Sequence, residues 1–121
     1  MLVRGIRGAV SVAENTVEEI KSATRELLLE MIAENQLDPA MVASALFTAT
    51  KDLDADFPAS TARELGWNMV PLICATEIDV PGSKPRIIRV LIQVNTDKDQ
   101  NQIKHVYLRE AAGLRQDLAA Q

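Results

Sequence analysis

No segment constrains this chain more than the run Arg86-Ile87-Ile88-Arg89-Val90-Leu91-Ile92-Gln93-Val94. It reads as a strand, and on a period of two its faces separate cleanly. Ile88, Val90, Ile92 and Val94 lie on one side; Ile87, Arg89 and Leu91 lie on the other. An arginine between apolar neighbours is costly to bury unless an anion meets it. Its guanidinium is permanently charged and presents a planar fork of donors suited to a carboxylate. The strand therefore poses one question: which anion Arg89 meets.

Composition narrows the answer. The chain has 121 residues and 13.3 kDa, the size of one domain spanning 1–121. Aromatic residues make up only 3%, so the core has to be aliphatic. Thirteen basic and seventeen acidic residues leave a net charge of −4 with no basic tract, which argues against a nucleic-acid binder. A single cysteine excludes an internal disulfide and suits a reducing compartment. The first residues carry no apolar signal-peptide core, and no apolar run approaches membrane-spanning length. The expectation is a cytoplasmic protein with no membrane or nucleic-acid partner.

Along the chain, residues 2–12 read as a strand with Gly5 and Gly8 inside it, and glycine there marks a bend or a close approach. Alternation puts Arg7 with Val3, Gly5 and Ala9, and Arg4 with Leu2 and Ile6. Residues 16–35 read as the one long helix, capped by Asn15 or Thr16, with Thr16 and Glu19 at capping-box spacing. Val17, Ile20, Leu27, Leu28, Met31 and Ile32 form its apolar stripe, and Glu18, Ser22, Arg25 and Glu26 its solvated face. Asp38-Pro39 can start a helical turn. Residues 42–50 fit helix or strand. Residues 52–56 read as a loop, 58–65 as a short helix stopped by Gly66. A strand over 69–80, a turn at 81–85 and the Arg89 strand suggest antiparallel neighbours. A short strand over 103–108 and a helical turn near 109–113 follow. The end, 114–121, reads as a mobile tail unless it docks.

Familiar catalytic signatures are missing. One histidine and one cysteine cannot build a zinc site, and Arg4-Gly-Ile-Arg-Gly-Ala lacks dinucleotide-binding spacing. Cys74 and His105 could pair as nucleophile and base, but Cys74 in an apolar strand reads better as a small hydrophobe, and His105 as structural. Charges inside strands remain: Arg7, Glu77 and Arg89. The plain account is an ion pair of Glu77 with Arg89 across a hairpin, which fixes register and needs no ligand. If Arg7 converges as well, the surplus positive charge calls for an anionic ligand with a donor for the glutamate. Arg63 and Arg115 read by default as solvated, Tyr107 offers a ring and a hydroxyl, and Phe57 and Trp67 are expected to pack in a core or interface.

The ordered set Arg4-Gly-Ile-Arg-Gly-Ala, Phe57-Pro-Ala, Arg63-Glu-Leu-Gly-Trp67, Val70-Pro, Cys74-Ala-Thr-Glu77, Arg89-Val and His105-Val-Tyr-Leu…Leu114-Arg115 resembles the monofunctional, homotrimeric chorismate mutases of mixed α/β fold. The all-helical chorismate mutases are unrelated. The resemblance spans nearly the whole chain. It implies an α+β fold: a mixed β-sheet, one long helix and short helices, assembled as a trimeric pseudo-α/β-barrel. It also implies a cofactor-free, metal-free [3,3] rearrangement of chorismate to prephenate in aromatic amino acid biosynthesis, in clefts between subunits. Carried over by motif, Arg7, Cys74, Glu77, Arg89 and Tyr107 come from one subunit. Phe57, Ala59, Ser60 and Arg63 come from its neighbour, and Leu114 and Arg115 close the site.

Strict alternation sets Cys74 and Glu77 on opposite faces, so Cys74 contributes backbone unless a bulge intervenes. The family often has lysine at Ser60, threonine at Ile73 and proline at Gln116. Ser60 and Ile73 therefore bear on substrate affinity more than on reaction type. Two other readings use the same arginines: a non-catalytic trimeric sensor of an aromatic-pathway carboxylate, and an imine deaminase on a related fold. The latter gives Glu77 and the tail no clear role.

Overall fold

A computed structural model describes residues 1–114 of the chain. Five strands form one sheet: β1 (Leu2–Ser11), β2 (Val42–Ala49), β3 (Leu72–Thr76), β4 (Ile87–Thr96) and β5 (Val106–Leu108), in the order β3-β2-β4-β1-β5. The Arg89 strand, β4, is central and antiparallel to both neighbours, β1 and β2. The edge strands β3 and β5 run parallel to β2 and β1. The sheet is mixed, as the fold class required.

Helix α1 (Val17–Asn35) starts where Thr16 caps it: its Oγ1 accepts the Glu19 N–H at 3.1 Å. Asn15, the other candidate cap, instead clasps the loop before residue 57, where its Oδ1 accepts the N–H groups of Asp54 and Ala55. Ile20, Ala23, Leu27, Leu28 and Met31 are buried against the aliphatic face of the sheet, which includes Ile6, Val10, Ile88, Val90 and Ile92. The outer face of α1 is not merely solvated. Glu26 pairs with Arg109 at 2.7 Å, and Arg109 also donates to the Ser11 carbonyl. Helix α2 (Pro58–Glu64) ends before Gly66, whose φ of 98° is left-handed. Lys21 of α1 pairs with Glu64 and Asp56, and the Glu64 hydrogen bond above all holds its ammonium pKa above the usual value.

The structure settles one open reading and corrects others. Residues 42–50 form a strand over Val42–Ala49, because pairing with β4 on one side and β3 on the other outweighs the alanines. The strand expected over 69–80 occupies only Leu72–Thr76, and the one over 103–108 only Val106–Leu108, with a 3-10 turn at Gln100–Gln102 in the polar stretch before it. The helical turn expected near 109–113 is present as the 3-10 turn Arg109–Gly113. No hairpin joins β3 to β4. Residues 77–86 are long enough to pass over β2, which lies between them.

The sheet's two faces differ sharply. Gly8 of β1 sits under α1, and a Cβ there would come within 2.9 Å of Met31 Cε and 3.1 Å of Leu27 Cδ1. The glycine therefore sets how closely helix and sheet approach, resolving the close approach expected in this strand. On the other face, among the described residues, the turn Arg109–Gly113 gives cover: Ala111 packs on Ala9 and Ile87, with Tyr107 and Leu114 against them. Elsewhere that face leaves Leu46, Leu91 and Ile73 exposed. Gly8→Val, which overpacks the α1 contact, is expected to lower unfolding stability by about 1–3 kcal/mol in urea titration; an unchanged midpoint would show that α1 can retreat without loss.

Candidate active site

Ladder register builds the site. Across the open face one row runs Thr48, Arg89, Ala9 and Tyr107, on β2, β4, β1 and β5. The next row runs Leu46, Leu91 and Arg7. These two rows line a cleft of about 290 Å³ floored by Gly8 and Val90. Ala9 is the smallest side chain of its row and leaves the space between Arg89 and Tyr107 open. That volume lies at the lower end for small-molecule sites.

Glu77 enters from beyond β3. Its N–H donates to the Ala49 carbonyl at 3.0 Å, which carries the β2–β3 ladder one residue past the strand. Its Oε2 accepts from Arg89 Nε at 3.0 Å and from the Thr48 hydroxyl at 2.7 Å. The ion pair of the plain account is therefore present, although it spans β2 rather than a hairpin. Arg89's side chain is 42% exposed and Glu77's 15%. A pair so open to solvent contributes about 1 kcal/mol or less, too little to account for a cation set among aliphatic residues. Its structural effect is orientation: Nε is held by Glu77, and neither terminal amino group of the fork takes part in that bond.

The structure brings Arg7, Glu77, Arg89 and Tyr107 together. Other expected residues lie elsewhere in the same chain. The β2–β3 register runs without a break from Ala45–Leu72 to Ala49–Thr76, so no bulge turns Cys74 toward Glu77. Its thiol side packs on the core and lines a second hollow with Phe57 and Pro58. Phe57 is 68% exposed rather than packed in the core, whereas Trp67 is buried at 1%. Ala59 is buried, and Arg63 Nη2 donates to Ser60 Oγ at 3.3 Å on the outer side of α2. Ile73 lines a third hollow on the open face, beside Leu46 and Leu91. Leu114, like Tyr107, packs against the cluster of Ala9, Ile87 and Ala111, and Arg115 lies outside the described residues. Sequence reasoning missed Thr48, the second partner of Glu77. Only an assigned strand over 42–49 would have placed it opposite Arg89.

Residues 3–118 match the family described as chorismate mutase type I. The chain is 53% identical over 118 residues to the chorismate mutase AroH of Thermus thermophilus, covering 97% of each chain. It is 48% identical over 120 residues to the AroH of Bacillus subtilis (strain 168), covering 98% of this chain and 94% of that protein. Among solved structures, a chorismate mutase from Clostridium thermocellum superposes with a TM-score of 0.88 at 53% identity, covering 89% of this chain and 96% of that one.

Thr48→Val keeps the side-chain shape but removes the hydroxyl from Glu77. It is expected to cost about 1 kcal/mol in urea unfolding, and a double-mutant cycle with Glu77→Ala, which removes the acceptor, should recover the coupling. Independent, additive effects of the two changes would mean that the bond is not made in solution.

Proposed function

The chain belongs to the chorismate mutase type I family and isomerises chorismate to prephenate, and we propose that it does so in the Arg89 cleft of a cytoplasmic homotrimer. The observation that carries the assignment of the site is the convergence of Arg7, Arg89 and Tyr107 on one cleft, with Glu77 orienting Arg89 from its rim.

The residue types suit the reaction. A [3,3] rearrangement moves electrons within one molecule and calls for neither nucleophile nor proton transfer. What it needs is a folded, reactive conformer of a flexible dianion, and stabilisation of negative charge that grows on the ether oxygen as its C–O bond breaks. Arg89, oriented through Nε, offers its remaining donors to that oxygen. Arg7 and Tyr107 hold a carboxylate and position the enolpyruvyl group. Glu77 accepts from the ring hydroxyl, and Cys74 contributes backbone rather than sulfur. Because the chain carries a net charge of −4, these local cations have to dominate the field inside the cleft.

Two features support the trimer. The open sheet face leaves Leu46, Leu91 and Ile73 exposed, and a second copy of the chain is its proposed cover. The site residues also fall into two groups within one subunit. In the proposed assembly Phe57, Ala59, Ser60, Arg63 and Ile73 of one subunit complete the cleft of the next, with Leu114 and Arg115 closing it. Among the described residues no helix is long and apolar enough to cross a membrane. Family membership favours this enzyme over a carboxylate sensor or an imine deaminase.

Turnover is followed by loss of chorismate absorbance, with prephenate identified as product. Arg89→Ala should lower kcat by about a hundredfold or more, the scale of losing a preorganised donor to developing charge. Arg89→Lys should also fail badly, since one point charge cannot both bond Glu77 and reach the oxygen. A near-normal rate in either variant would refute the role of Arg89. Truncation after Gly113 should mainly raise KM, and a fall confined to kcat would instead place the tail at the chemical step.

A further inference from the structure

The mechanism leaves His105 unused, yet this side chain touches the backbone of a cleft residue. Its Nδ1 accepts the main-chain N–H of Arg7 at 3.0 Å. The paired β1–β5 ladder starts only one residue later, at Gly8–Val106, and runs for three pairs. The imidazole therefore adds a side-chain bond to one of the shortest pairings in the sheet. That pairing sets the spacing of Arg7 and Tyr107, which sit on β1 and β5 on the same face.

His105 is itself held from α1. The buried Asn35 grips the preceding residue in both directions: its Nδ2 donates to the Lys104 carbonyl at 2.9 Å, and its Oδ1 accepts the Lys104 N–H at 2.9 Å. The end of α1, Lys104, the imidazole of the next residue and the Arg7 amide thus form one continuous line of bonds. Among the described residues, the charged side chains that line the hollow beside the ring are Arg4 and Arg7 of β1, and the adjacent Lys104 pairs with Glu34 at 3.7 Å. Gly5, Leu91, Gln100 and Ile103 complete that hollow without adding charge.

An imidazole nitrogen accepts only with its lone pair free, so the bond assigns the tautomer with the proton on Nε2. We propose that His105, as a neutral Nδ1 acceptor, is a positioning residue that holds Arg7 in register with Tyr107 for substrate carboxylate binding. The proposal rests on the reading of the Arg89 cleft as the chorismate site. It gives His105 no contact with substrate and no role in the charge stabilisation at Arg89.

Its signature is a split between constants. His105→Leu removes the acceptor and should raise KM for chorismate by about tenfold, with kcat within about threefold. A purely structural loss would instead lower the folded fraction, reducing apparent kcat with KM unchanged. Asparagine places an oxygen near the position of Nδ1, so His105→Asn should restore KM to within about threefold of the parent. Nitrogen NMR of the parent should show Nδ1 unprotonated and Nε2 protonated at neutral pH. The inference is overturned if His105→Leu leaves KM unchanged, if His105→Asn binds as poorly as His105→Leu, or if the ring carries its proton on Nδ1. Should His105→Leu fail to fold, the asparagine variant and the tautomer decide. Arg7→Ala in the same assay separates the two readings: unimpaired binding there removes the cleft assignment, whereas impaired binding with no effect at His105 removes only this inference.

Discussion

One carboxylate oxygen organises the working face of this protein. Glu77 Oε2 takes a hydrogen bond from Arg89 on the central strand and another from Thr48 on the strand between them. Two strands and the residue just past a third meet at that oxygen. The pair stabilises little by itself, since its arginine is nearly half exposed. What it supplies is direction. A guanidinium has many rotamers on a bare sheet surface, and a fixed acceptor at Nε selects few of them. Preorganisation of this kind lets a cation act on developing charge without reorganising at the moment of reaction.

That arrangement depends on a sheet with two unlike faces. On one side α1 descends onto β1 as closely as Gly8 permits, and Leu27, Leu28 and Met31 complete an aliphatic core. Among the described residues the other side carries no α-helix and is covered in part by the turn Arg109–Gly113. Arg7, Arg89 and Tyr107 therefore stand there above Ala9 and Gly8, with Glu77 bonded to Arg89. The cost is exposed leucine and isoleucine, which a second copy would cover in the proposed trimer. Burial of that face and completion of the cleft would then be a single event, tying catalytic competence to assembly. Exclusion of water from the cleft would strengthen each of its electrostatic contacts.

Local chemistry was the most legible part of the chain. Period-two alternation identified both faces of β4, and the Thr16–Glu19 spacing marked the start of α1. Alternation also set Cys74 opposite Glu77, as the unbroken β2–β3 register bears out. The core is mostly aliphatic, as a composition with few aromatics requires, but Phe47 and Trp67 are its largest fully buried side chains. The ordered motifs identified the family, because many weak signals in fixed order are jointly specific.

Partners, by contrast, were invisible. A strand's pattern says which side chains share its face, not which strand lies beside it, so a short-looking link between β3 and β4 suggested a hairpin where β2 intervenes. For the same reason Thr48 went unseen: residues 42–50 are strand only because β4 and β3 flank them. Phe57 shows the converse, an aromatic expected to pack in a core or interface, which this chain by itself leaves exposed. By itself the sequence determined that Arg89 stands on an apolar strand and needs an anion. Only the tertiary structure decided that Glu77 reaches it across an intervening strand, because hydrogen bonds between residues distant in sequence depend on strand order, which no local periodicity encodes.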